Sequence, residues 1–585
     1  MAITIATGGG VSEAERPLLY DVFVPGFIDF KGHPSLRSIS GSWKSASFII
    51  GVEMAERLSF YGISSNLVSY LTGRLGQSTA AAAASLNAWY GTAALSPIMG
   101  ALLADSYLGR YWTIIYSSLL YILGLGFLTL SAAFNSLNSS PNYKTTLPNN
   151  TSYSPPLLQT TFFFSSLYLV ALAQGGHRPC LQAFGADQFD PQNNKESKAK
   201  SSFFNWCFWS SCLGTLIALS VLNYIQENLS WEVGFGIPCV VMCLGLIVFW
   251  INGSVTYRFC VNEDGRSLFV RMSWVFVKVA RDLQPVFGAI SNEVEAQRIM
   301  PQQCSQFEFL DIASLVPNGS MEDDRTCTID DVQEAKAILR LAPIWFTSLG
   351  YSITYAQPST LFTKQASTLD RQITSTFRIP AASLQLFIVL SIIVFVPIYD
   401  RILVPIARAI TKKPTGISKL QRIGIGLFLS LTSIIVAALV EWKRLGVAFE
   451  YGLMDKPKAI IPMSVWWLAP QYLISGVADV FTLVGLQEFF YDEVSSELKS
   501  IGLALYLSIL GIGSFLSSFL VCVIHKGTSG NGEDGWFSDN LNQAHLDYFY
   551  WLLAGISAFL LATYVHFAKT YIYRRSIEIV GGYLS

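Results

Sequence analysis

Long apolar runs separated by short polar segments dominate the chain, and twelve of them are long enough to cross a lipid bilayer. A membrane-spanning helix needs about 20 predominantly apolar residues, and each run reaches that length. The pattern therefore predicts an all-α polytopic membrane protein with twelve transmembrane helices. The runs cover residues 44–71, 80–104, 111–133, 159–182, 203–224, 233–253, 337–357, 380–400, 421–440, 463–490, 500–525 and 547–572.

A long polar stretch separates the first six runs from the last six. We predict two six-helix bundles that enclose a central path, joined by this stretch as a cytosolic loop. Within the loop, residues 267–283 intersperse basic with apolar side chains, which is typical of an amphipathic helix at the inner membrane surface. The predicted division is an N-terminal tail at 1–42, a bundle at 43–253, the linker at 254–336, a bundle at 337–572 and a C-terminal tail at 573–585.

The distribution of basic residues predicts the orientation in the membrane. With both termini in the cytosol, most of the 39 Lys and Arg residues fall in inner segments, as the positive-inside rule requires. Asn-X-Ser/Thr sequences then lie in the outer loops, which makes them candidate glycosylation sites. These candidates are Asn138, Asn149, Asn150 and Asn228.

Composition excludes several classes of function. Hydrophobic residues make up 51% of the chain and charged residues 14%, against about 25% charged in soluble domains. The net charge of −1 gives no reason to expect nucleic-acid binding. The sequence contains no phosphate-binding loop, no metal-ligand spacing and no Ser/His/Asp constellation. We therefore expect neither an enzyme nor a cofactor.

Three charged residues lie inside the first apolar run. Glu53, Glu56 and Arg57 are spaced i, i+3 and i+4, so on a helix they share one face. Each charge near the bilayer centre costs about 2.5–3.5 kcal/mol on insertion scales, so the cluster indicates a polar partner surface or a wet cavity. The alternative is a structural ion pair between Glu53 and Arg57. The second carboxylate favours instead a group that takes up and releases protons.

Two further charges lie at mid-membrane depth. Arg178 lies in the last part of the fourth run, at a depth comparable to Glu53, and could either pair with one of the two glutamates or bind an anionic substrate. Asp479 lies near the middle of the tenth run and would place an acid in the second half, with a helix-packing hydrogen bond as the alternative. His177, beside Arg178, could titrate, but we expect a hydrogen-bonded structural histidine.

The inner ends of helices 2 and 8 carry candidate gating residues. Asp105 and Arg110 can pair at the cytosolic face, and Gly100 to Arg110 resembles the cytosolic motif of the major facilitator superfamily. Asp400 and Arg401 are a partial repeat in the second half. Such a pair could hold one conformation and break in the other, and a structural turn is compatible with that role.

Several motifs in order along the chain resemble the proton-dependent oligopeptide transporter family, in its plant nitrate/peptide branch. The resemblance extends from about residue 20 to the C-terminus. The matching stretches are Glu53 to Arg57, Gly175 to Cys180, Phe184 to Phe189, Phe203 to Trp206, Ile379 to Gln385 and Glu488 to Tyr491.

The resemblance implies a major-facilitator fold and assigns proton coupling to Glu53, Glu56 and Arg57. It places the family's helix-4 lysine at Arg178 and its helix-10 glutamate at Asp479. Arg178 keeps the positive charge of a lysine but cannot release its proton.

Further assignments also rest on the resemblance. It adds Tyr61, Tyr355 and Gln357 to the substrate-binding candidates. It places Ser106 at the position of a regulatory phosphothreonine, which suggests control by a kinase.

These features predict a proton-coupled symporter that works by alternating access. Its partners would be protons, the lipid bilayer and a small anionic or zwitterionic solute, for which nitrate, a di- or tripeptide and an organic metabolite stay open, as does the oligomeric state. A membrane sensor, either non-transporting or transporting as well, is the alternative. Glu13 with Leu18 and Leu19 resembles an acidic dileucine signal, or a chance match; it favours the vacuolar membrane over the plasma membrane.

Overall fold

A computed structural model describes most of the chain. The described residues are 23–138, 157–190, 193–253, 255–260, 329–374, 378–411, 417–457, 459–494, 499–528 and 535–571. The dileucine sequence, the amphipathic stretch at 267–283, and Asn149 and Asn150 lie outside them, so these predictions remain untested.

Helices make up most of the described chain. They are α1 (Ser42–Ser64), α2 (Leu67–Gly73), α3 (Thr79–Leu103), α4 (Arg110–Asn138), α5 (Leu157–Ala186), α6 (Asn194–Ile217), α7 (Asn223–Asn228), α8 (Trp231–Gly253), α9 (Ile329–Tyr355), α10 (Leu361–Ser367), α11 (Leu386–Ile398), α12 (Val404–Thr411), α13 (Lys419–Glu450), α14 (Ala469–Asp492), α15 (Lys499–Thr528) and α16 (Leu546–Thr570). π-Helical turns at Ala104–Leu108, Ala218–Leu222 and Tyr399–Leu403, and 3₁₀ turns at Ala381–Gln385 and Val465–Leu468, extend some of them.

Every one of the twelve predicted runs is helical in the structure. Among the described residues, eight helical segments are long and apolar enough to cross a membrane. The other four runs correspond to the long helices α1, α3, α5 and α9, which are not among these eight. The mostly helical membrane character predicted from the sequence is therefore confirmed, whereas the arrangement of twelve membrane-spanning helices stays a prediction.

The first predicted run is not one helix. It is interrupted between α1 and α2, at Ser65 and Asn66, although both residues are fully buried. Ser and Asn are weaker helix formers than the leucines around them, so a break costs less at such a pair than elsewhere in the run. A count of apolar residues does not detect this effect.

The chain divides into two compact units. The first contains residues 1–63, 103–146 and 161–265, and the second contains residues 64–102, 147–160 and 266–585. α3 belongs to the second unit, in which Asn87 donates a hydrogen bond to Ser517 of α15 at 3.0 Å. The bundle boundaries predicted at 43–253 and 337–572 stay a prediction.

The first unit carries a small sheet that the sequence analysis missed. Strand β1 (Phe23–Ile28) pairs antiparallel with β2 (Pro34–Leu36) and with β3 (Phe259–Cys260), in the order β2-β1-β3. In the turn between β1 and β2, Asp29 accepts the backbone N–H of Lys31 and His33, and the bond from His33 lowers the pKa of the carboxyl. Part of the predicted N-terminal tail is therefore folded.

A buried arginine fastens this sheet to the helices of the first unit. Arg258 is fully buried and donates to the Ser40 carbonyl at 2.7 Å and to the Glu196 carboxylate at 2.8 Å. Gly41 leaves room for it, because a Cβ there would lie 2.1 Å from the Arg258 Nε. These contacts join the N-terminal segment, the start of α6 and the segment after α8.

The second unit is organised around α13, which packs against α14 and α16. This helix extends to Glu450, ten residues beyond the predicted run. The extension includes Glu441 and Arg444, which are fully buried and paired at 2.6 Å. Glu441 also accepts a bond from Gln365, and Arg444 donates to Asn542. A satisfied ion pair allows a buried helix turn that hydropathy alone does not predict.

Candidate functional site

The charged cluster predicted on α1 exists and is buried. Glu53, Glu56 and Arg57 are at most 4% exposed. Arg57 Nη2 lies 2.6 Å from Glu56 Oε2, and Arg57 Nε lies 3.8 Å from Glu53 Oε1. The guanidinium is therefore paired with both carboxylates.

The closer partner of Arg57 is not the one expected from helical spacing. The i, i+4 pair with Glu53 is longer because Glu53 Oε1 also accepts bonds from Gln182 on α5 at 3.1 Å and Ser211 on α6 at 3.2 Å. The contact with Glu56 is short, yet no N–H of Arg57 is aligned on that carboxylate. We regard this contact as a charge pair that a small rearrangement can break.

The ionised cluster carries a net charge of −1, because two carboxylates face one guanidinium. A buried net charge is unfavourable, and one added proton makes the cluster neutral. Protonation of either carboxyl also removes one of the attractions that hold Arg57. The geometry therefore couples the binding of a proton to the pairing of an arginine.

Two glycines bring the neighbouring helices close to this cluster. A Cβ on Gly214 of α6 would lie 2.5 Å from the Met54 carbonyl oxygen and 3.2 Å from the Arg57 Cβ. A Cβ on Gly176 of α5 would lie 2.1 Å from the Ser117 Oγ on α4. Close backbone approach at these two positions lets α5 and α6 present Gln182 and Ser211 to Glu53.

His177 does not behave as the sequence analysis expects. Its imidazole is fully buried, and neither ring nitrogen has a hydrogen-bond partner among the residues that the structure describes. The Tyr121 ring lies edge-on to it with ring centroids 6.4 Å apart, and the Tyr121 hydroxyl is likewise unpaired within the described chain. The expectation of a hydrogen-bonded structural histidine is therefore wrong for this part of the chain.

Arg178 differs from Arg57 in having no acidic partner among the residues that the structure describes. Its side chain is half-buried, and within the described ranges no carboxylate lies within 4.0 Å of it. Of the two alternatives left open by the sequence, pairing with a glutamate is not found here. An unpaired guanidinium in a membrane helix can bind an anion through two parallel hydrogen bonds.

Asp479 forms a second acidic site, in the second unit. It is buried on α14 and accepts a hydrogen bond from the Tyr351 hydroxyl on α9 at 2.6 Å. No lysine or arginine lies within 4.0 Å of this carboxyl in the described part of the chain. Tyr351 was missed, although it lies one helical turn before the predicted Tyr355, with ring centroids 5.7 Å apart.

The other substrate-binding candidates differ in exposure. Gln357 is fully buried and donates to the Ile353 carbonyl at 2.9 Å and the Ser517 hydroxyl at 3.2 Å. Tyr61 is half-buried and packs beside Leu58 and Leu222 in the first unit. Their predicted role in substrate binding stays a prediction.

The predicted gating residues are described only in part. Arg110 pairs with Asp187 at the end of α5, with Nη1 and Oδ2 2.5 Å apart. The side chains of Asp105 and Asp400 lie outside the described residues, and Arg401 is exposed in a π-helical turn. The predicted Asp105–Arg110 pair therefore stays untested, whereas Asp187 is a partner that the sequence analysis did not consider.

Of the proposed modification sites, one is described in full. Asn228 is exposed at the end of α7, where its side-chain amide donates to the Tyr224 carbonyl at 3.1 Å. The side chains of Asn138 and Ser106 lie outside the described residues. Glycosylation and phosphorylation stay predictions.

Comparison with known proteins decides the family. Residues 111–537 match the sequence signature of PTR2, the POT family. The chain belongs to the POT family. It is 54% identical to Protein NRT1/ PTR FAMILY 5.10 of Arabidopsis thaliana, covering 98% of this chain and 99% of that one. Protein NRT1/ PTR FAMILY 5.13 of the same plant is 51% identical, over 97% of this chain and all of the relative.

Solved structures agree on the fold. An auto-inhibited POT family peptide transporter superposes with a TM-score of 0.67 at 19% identity, covering 91% of this chain and 98% of the other. The POT family transporter PepTSo gives a TM-score of 0.63 at 18% identity, over 90% and 98%. These two structures show the fold, and membership of the POT family shows that the protein is an integral membrane transporter and not an enzyme.

Proposed function

We propose that this POT family member is a proton-coupled symporter for a small anionic or zwitterionic solute. It would carry twelve membrane helices in two bundles, with both termini in the cytosol, and work by alternating access. The observation that carries the proposal is the contrast between two arginines in the first unit, one buried and one half-buried. Arg57 is paired with two glutamates, whereas Arg178 has no carboxylate within 4.0 Å among the described residues.

In this scheme, Arg178 binds the negative group of the solute. A guanidinium offers two parallel N–H donors, which match nitrate, carboxylate and phosphate alike. The bound anion removes the charge penalty of an unpaired arginine in the membrane, so that the loaded transporter closes more easily than the empty one. Closure without solute is disfavoured for the same reason.

The α1 cluster supplies the coupling to protons. A contact pair of unit charges at an effective dielectric constant near 20 interacts by about 4 kcal/mol. Protonation of Glu53 or Glu56 removes one such attraction, and a change of 1.4 kcal/mol already shifts an equilibrium about tenfold. One proton is therefore sufficient to change the pairing of Arg57 and, through α1, the balance between two conformations.

Asp479 and Tyr351 are a second polar site for the solute. A carboxyl held by a phenol and lacking a cationic neighbour in the described chain can accept a hydrogen bond from an ammonium or hydroxyl group. This site suits a solute that carries a cationic or hydroxyl group, whereas nitrate has no such donor and would use only Arg178. Two predictions from the sequence remain part of the proposal. The dileucine sequence favours location in the vacuolar membrane, and Ser106 is a site at which a kinase would control the transporter.

The test is uptake into proteoliposomes with an imposed proton gradient, for nitrate, a dipeptide and a set of organic anions. Arg178→Gln removes the charge, and Arg178→Lys keeps it without the two parallel N–H donors. Arg74→Gln, which removes an exposed charge directly after α2, is the matched control. We expect saturable uptake driven by the gradient, lost in Arg178→Gln and weakened at least tenfold in Arg178→Lys. Wild-type uptake by Arg178→Gln would overturn the assignment of the anion site.

A further inference from the structure

The segment 64–102 lies early in the chain but belongs to the second unit, whereas the chain directly before and after it belongs to the first. It contains α2 and α3. The helical break at Ser65 and Asn66 marks its start, and the π-helical turn Ala104–Leu108 follows its end, with Gly109 next at a φ of +74°. Irregular turns of this kind are where helices bend, so each end of the segment can act as a hinge.

A single serine hydroxyl joins α3 to two helices from the C-terminal half of the chain. Ser517 of α15 accepts the side-chain amide of Asn87 on α3 at 3.0 Å, and that of Gln357 directly after α9 at 3.2 Å. All three side chains are buried. The next residue, Ser518, donates from its hydroxyl to the Ala84 carbonyl at 2.9 Å. The helices α3 and α15 therefore exchange hydrogen bonds in both directions.

Two glycines bring the backbones of α3 and α15 together beside these bonds. A Cβ on Gly91 would lie 3.0 Å from the Gly511 carbonyl oxygen, and a Cβ on Gly511 would lie 3.2 Å from the Gly91 carbonyl oxygen. Neither position has room for a side chain without a shift of the helices. Gly91 lies one helical turn after Asn87, so this close approach brings the Asn87 amide within reach of the Ser517 hydroxyl.

The predicted orientation places these contacts toward the outer side of the membrane. With the N-terminus in the cytosol, the second predicted run begins at the outer face, and the seventh and eleventh runs end there. Two more bonds hold the outer part of the same segment. The Thr79 backbone N–H donates to the Asp539 carboxylate at 3.1 Å, and Lys364 of α10 donates to the Thr72 hydroxyl at 2.8 Å. The segment is therefore fastened to the second unit at its outer part.

The Asn87 amide depends on its contact with Ser517. The amide nitrogen donates to that hydroxyl, and the amide oxygen has no hydrogen-bond partner among the described residues, although the side chain is only 1% exposed. Separation of α3 from α15 would let water bond to the amide. Loss of the Ser517 hydroxyl would instead strand the amide for as long as the two helices stay together, which is unfavourable. The strength of this helix contact therefore depends on one hydroxyl group.

We propose that Asn87, Gln357 and Ser517 form an outer latch, which holds α3 against α9 and α15 while the outer side is closed and releases α3 when that side opens. The inference rests on the alternating access of the proposed function. On opening, the segment 64–102 turns about its two ends and water reaches the three side chains. None of the three side chains is ionisable, so the latch itself binds no proton. Proton binding stays with the α1 cluster, and the latch sets how readily the outer side opens.

The first test measures the release of α3 and needs no substrate. Ala83 of α3 is fully buried in the core of the second unit, so Ala83→Cys is a small change that reports on the position of this helix. The labelling rate of this cysteine by a water-soluble maleimide is measured in lipid nanodiscs, above the background of the nine native cysteines. Ala437→Cys, on α13 in the same core, reports general loosening instead.

Ser517→Ala should raise the labelling rate of the Ala83→Cys reporter about tenfold, because it strands the Asn87 amide in the closed state and not in the open one. The Ala437→Cys reporter should keep its rate. Ser514→Ala is the matched control, since Ser514 is buried on the same helix and its hydroxyl donates to a backbone carbonyl of α15 at 2.9 Å. Equal labelling of the two serine variants, or an equal rise at both reporters, would overturn the latch.

Asn87→Ala breaks the same bond from the α3 side, so it keeps the test decisive if Ser517→Ala does not fold. It should also raise the labelling rate, because α3 loses both the bond and the contacts of the amide. In the double variant no amide is stranded, so its rate should stay below the product of the two single effects. Effects that multiply would show that the two residues do not act through one bond.

The second test is the dependence of uptake on the external solute concentration. A larger population of the outer-open state strengthens apparent binding from outside in proportion. Ser517→Ala should therefore lower the half-saturating concentration, and its maximum rate should fall as well because closure becomes less favourable. A merely structural defect would lower the maximum rate alone.

The two tests separate the inference from the proposed function. If the wild type shows no gradient-driven uptake of any solute, the proposed function fails, and the labelling rates still decide whether Ser517 holds α3 in place. If the wild type is proton-driven, while Ser517→Ala matches Ser514→Ala in both labelling and half-saturating concentration, only the latch is wrong.

Discussion

Substitution of Gly214 by alanine tests whether close helix packing sets the geometry of the α1 cluster. The added Cβ would lie 2.5 Å from the Met54 carbonyl oxygen, and ordinary contact begins at 3.4 Å. Both atoms are fixed to helix backbones, so α1 and α6 must separate by about 0.9 Å. The 3.2 Å bond from Ser211 to Glu53 would then lengthen to about 4 Å, beyond hydrogen-bond range.

Two effects should follow from this displacement. Overpacking of a helix contact costs about 1–3 kcal/mol, so the melting temperature of Gly214→Ala should fall. Loss of the Ser211 bond makes the ionised form of Glu53 less stable, so uptake should become half-maximal at a less acidic pH. Thermal unfolding in detergent and uptake by proteoliposomes at a series of external pH values measure the two effects.

Gly126→Ala is the matched control, since a Cβ there meets nothing within 4 Å in the described chain. It should keep the wild-type melting temperature or exceed it slightly, and its pH profile should not move. Equal melting temperatures and pH profiles for the Gly214→Ala and Gly126→Ala variants would refute the packing argument.

Three further predictions concern stability. Gly41→Ala should be poorly folded, because its φ of +71° is strained for alanine and the added Cβ would overlap the Arg258 guanidinium; normal yield and melting temperature would contradict this. Glu441→Gln should lower the free energy of unfolding by about 3–5 kcal/mol, because it leaves the buried Arg444 charge without its partner. The double variant Glu441→Gln/Arg444→Met should lose less stability than Glu441→Gln alone. A double variant whose loss equals the sum of the two single losses would show that the pair is not coupled. Burial lowers the pKa of Lys364 from 10.5 to about 8 in the folded protein. Below pH 8 the buried amine is charged and destabilises the folded state, and above pH 10.5 the amine is neutral in both states and this destabilisation is gone. The melting temperature of wild type relative to Lys364→Met should therefore rise between pH 8 and pH 10, and a constant difference would count against the shift.

Local patterns in the sequence predict much of this architecture. Apolar run length locates all twelve helical segments, because a membrane helix must satisfy its backbone hydrogen bonds internally and cover itself with apolar side chains. Charge at mid-membrane depth identifies Glu53, Glu56 and Arg57, since such residues are too costly to retain without a role. Both signals lie within single stretches of chain.

What the sequence does not predict depends on distant residues. β1 pairs with β3 more than two hundred residues later, and no periodic pattern marks two strands this short. Arg110 has Asp187 as a partner because the end of α5 lies beside the start of α4, and the 77 positions that separate the two residues leave no local signal of this pairing. Tyr351 was missed since a tyrosine in an apolar helix is ordinary until its contact with Asp479 is known.

The most direct test of the account is the proton flux that accompanies solute entry. Proteoliposomes loaded with a pH-sensitive dye, held at zero membrane potential, should acidify inside when a transported solute is added outside. The wild type should show this acidification, Glu56→Gln should bind solute without it, and Arg74→Gln should behave as the wild type. Solute uptake by the wild type with no acidification, or equal acidification by Glu56→Gln, would contradict proton coupling through the α1 cluster.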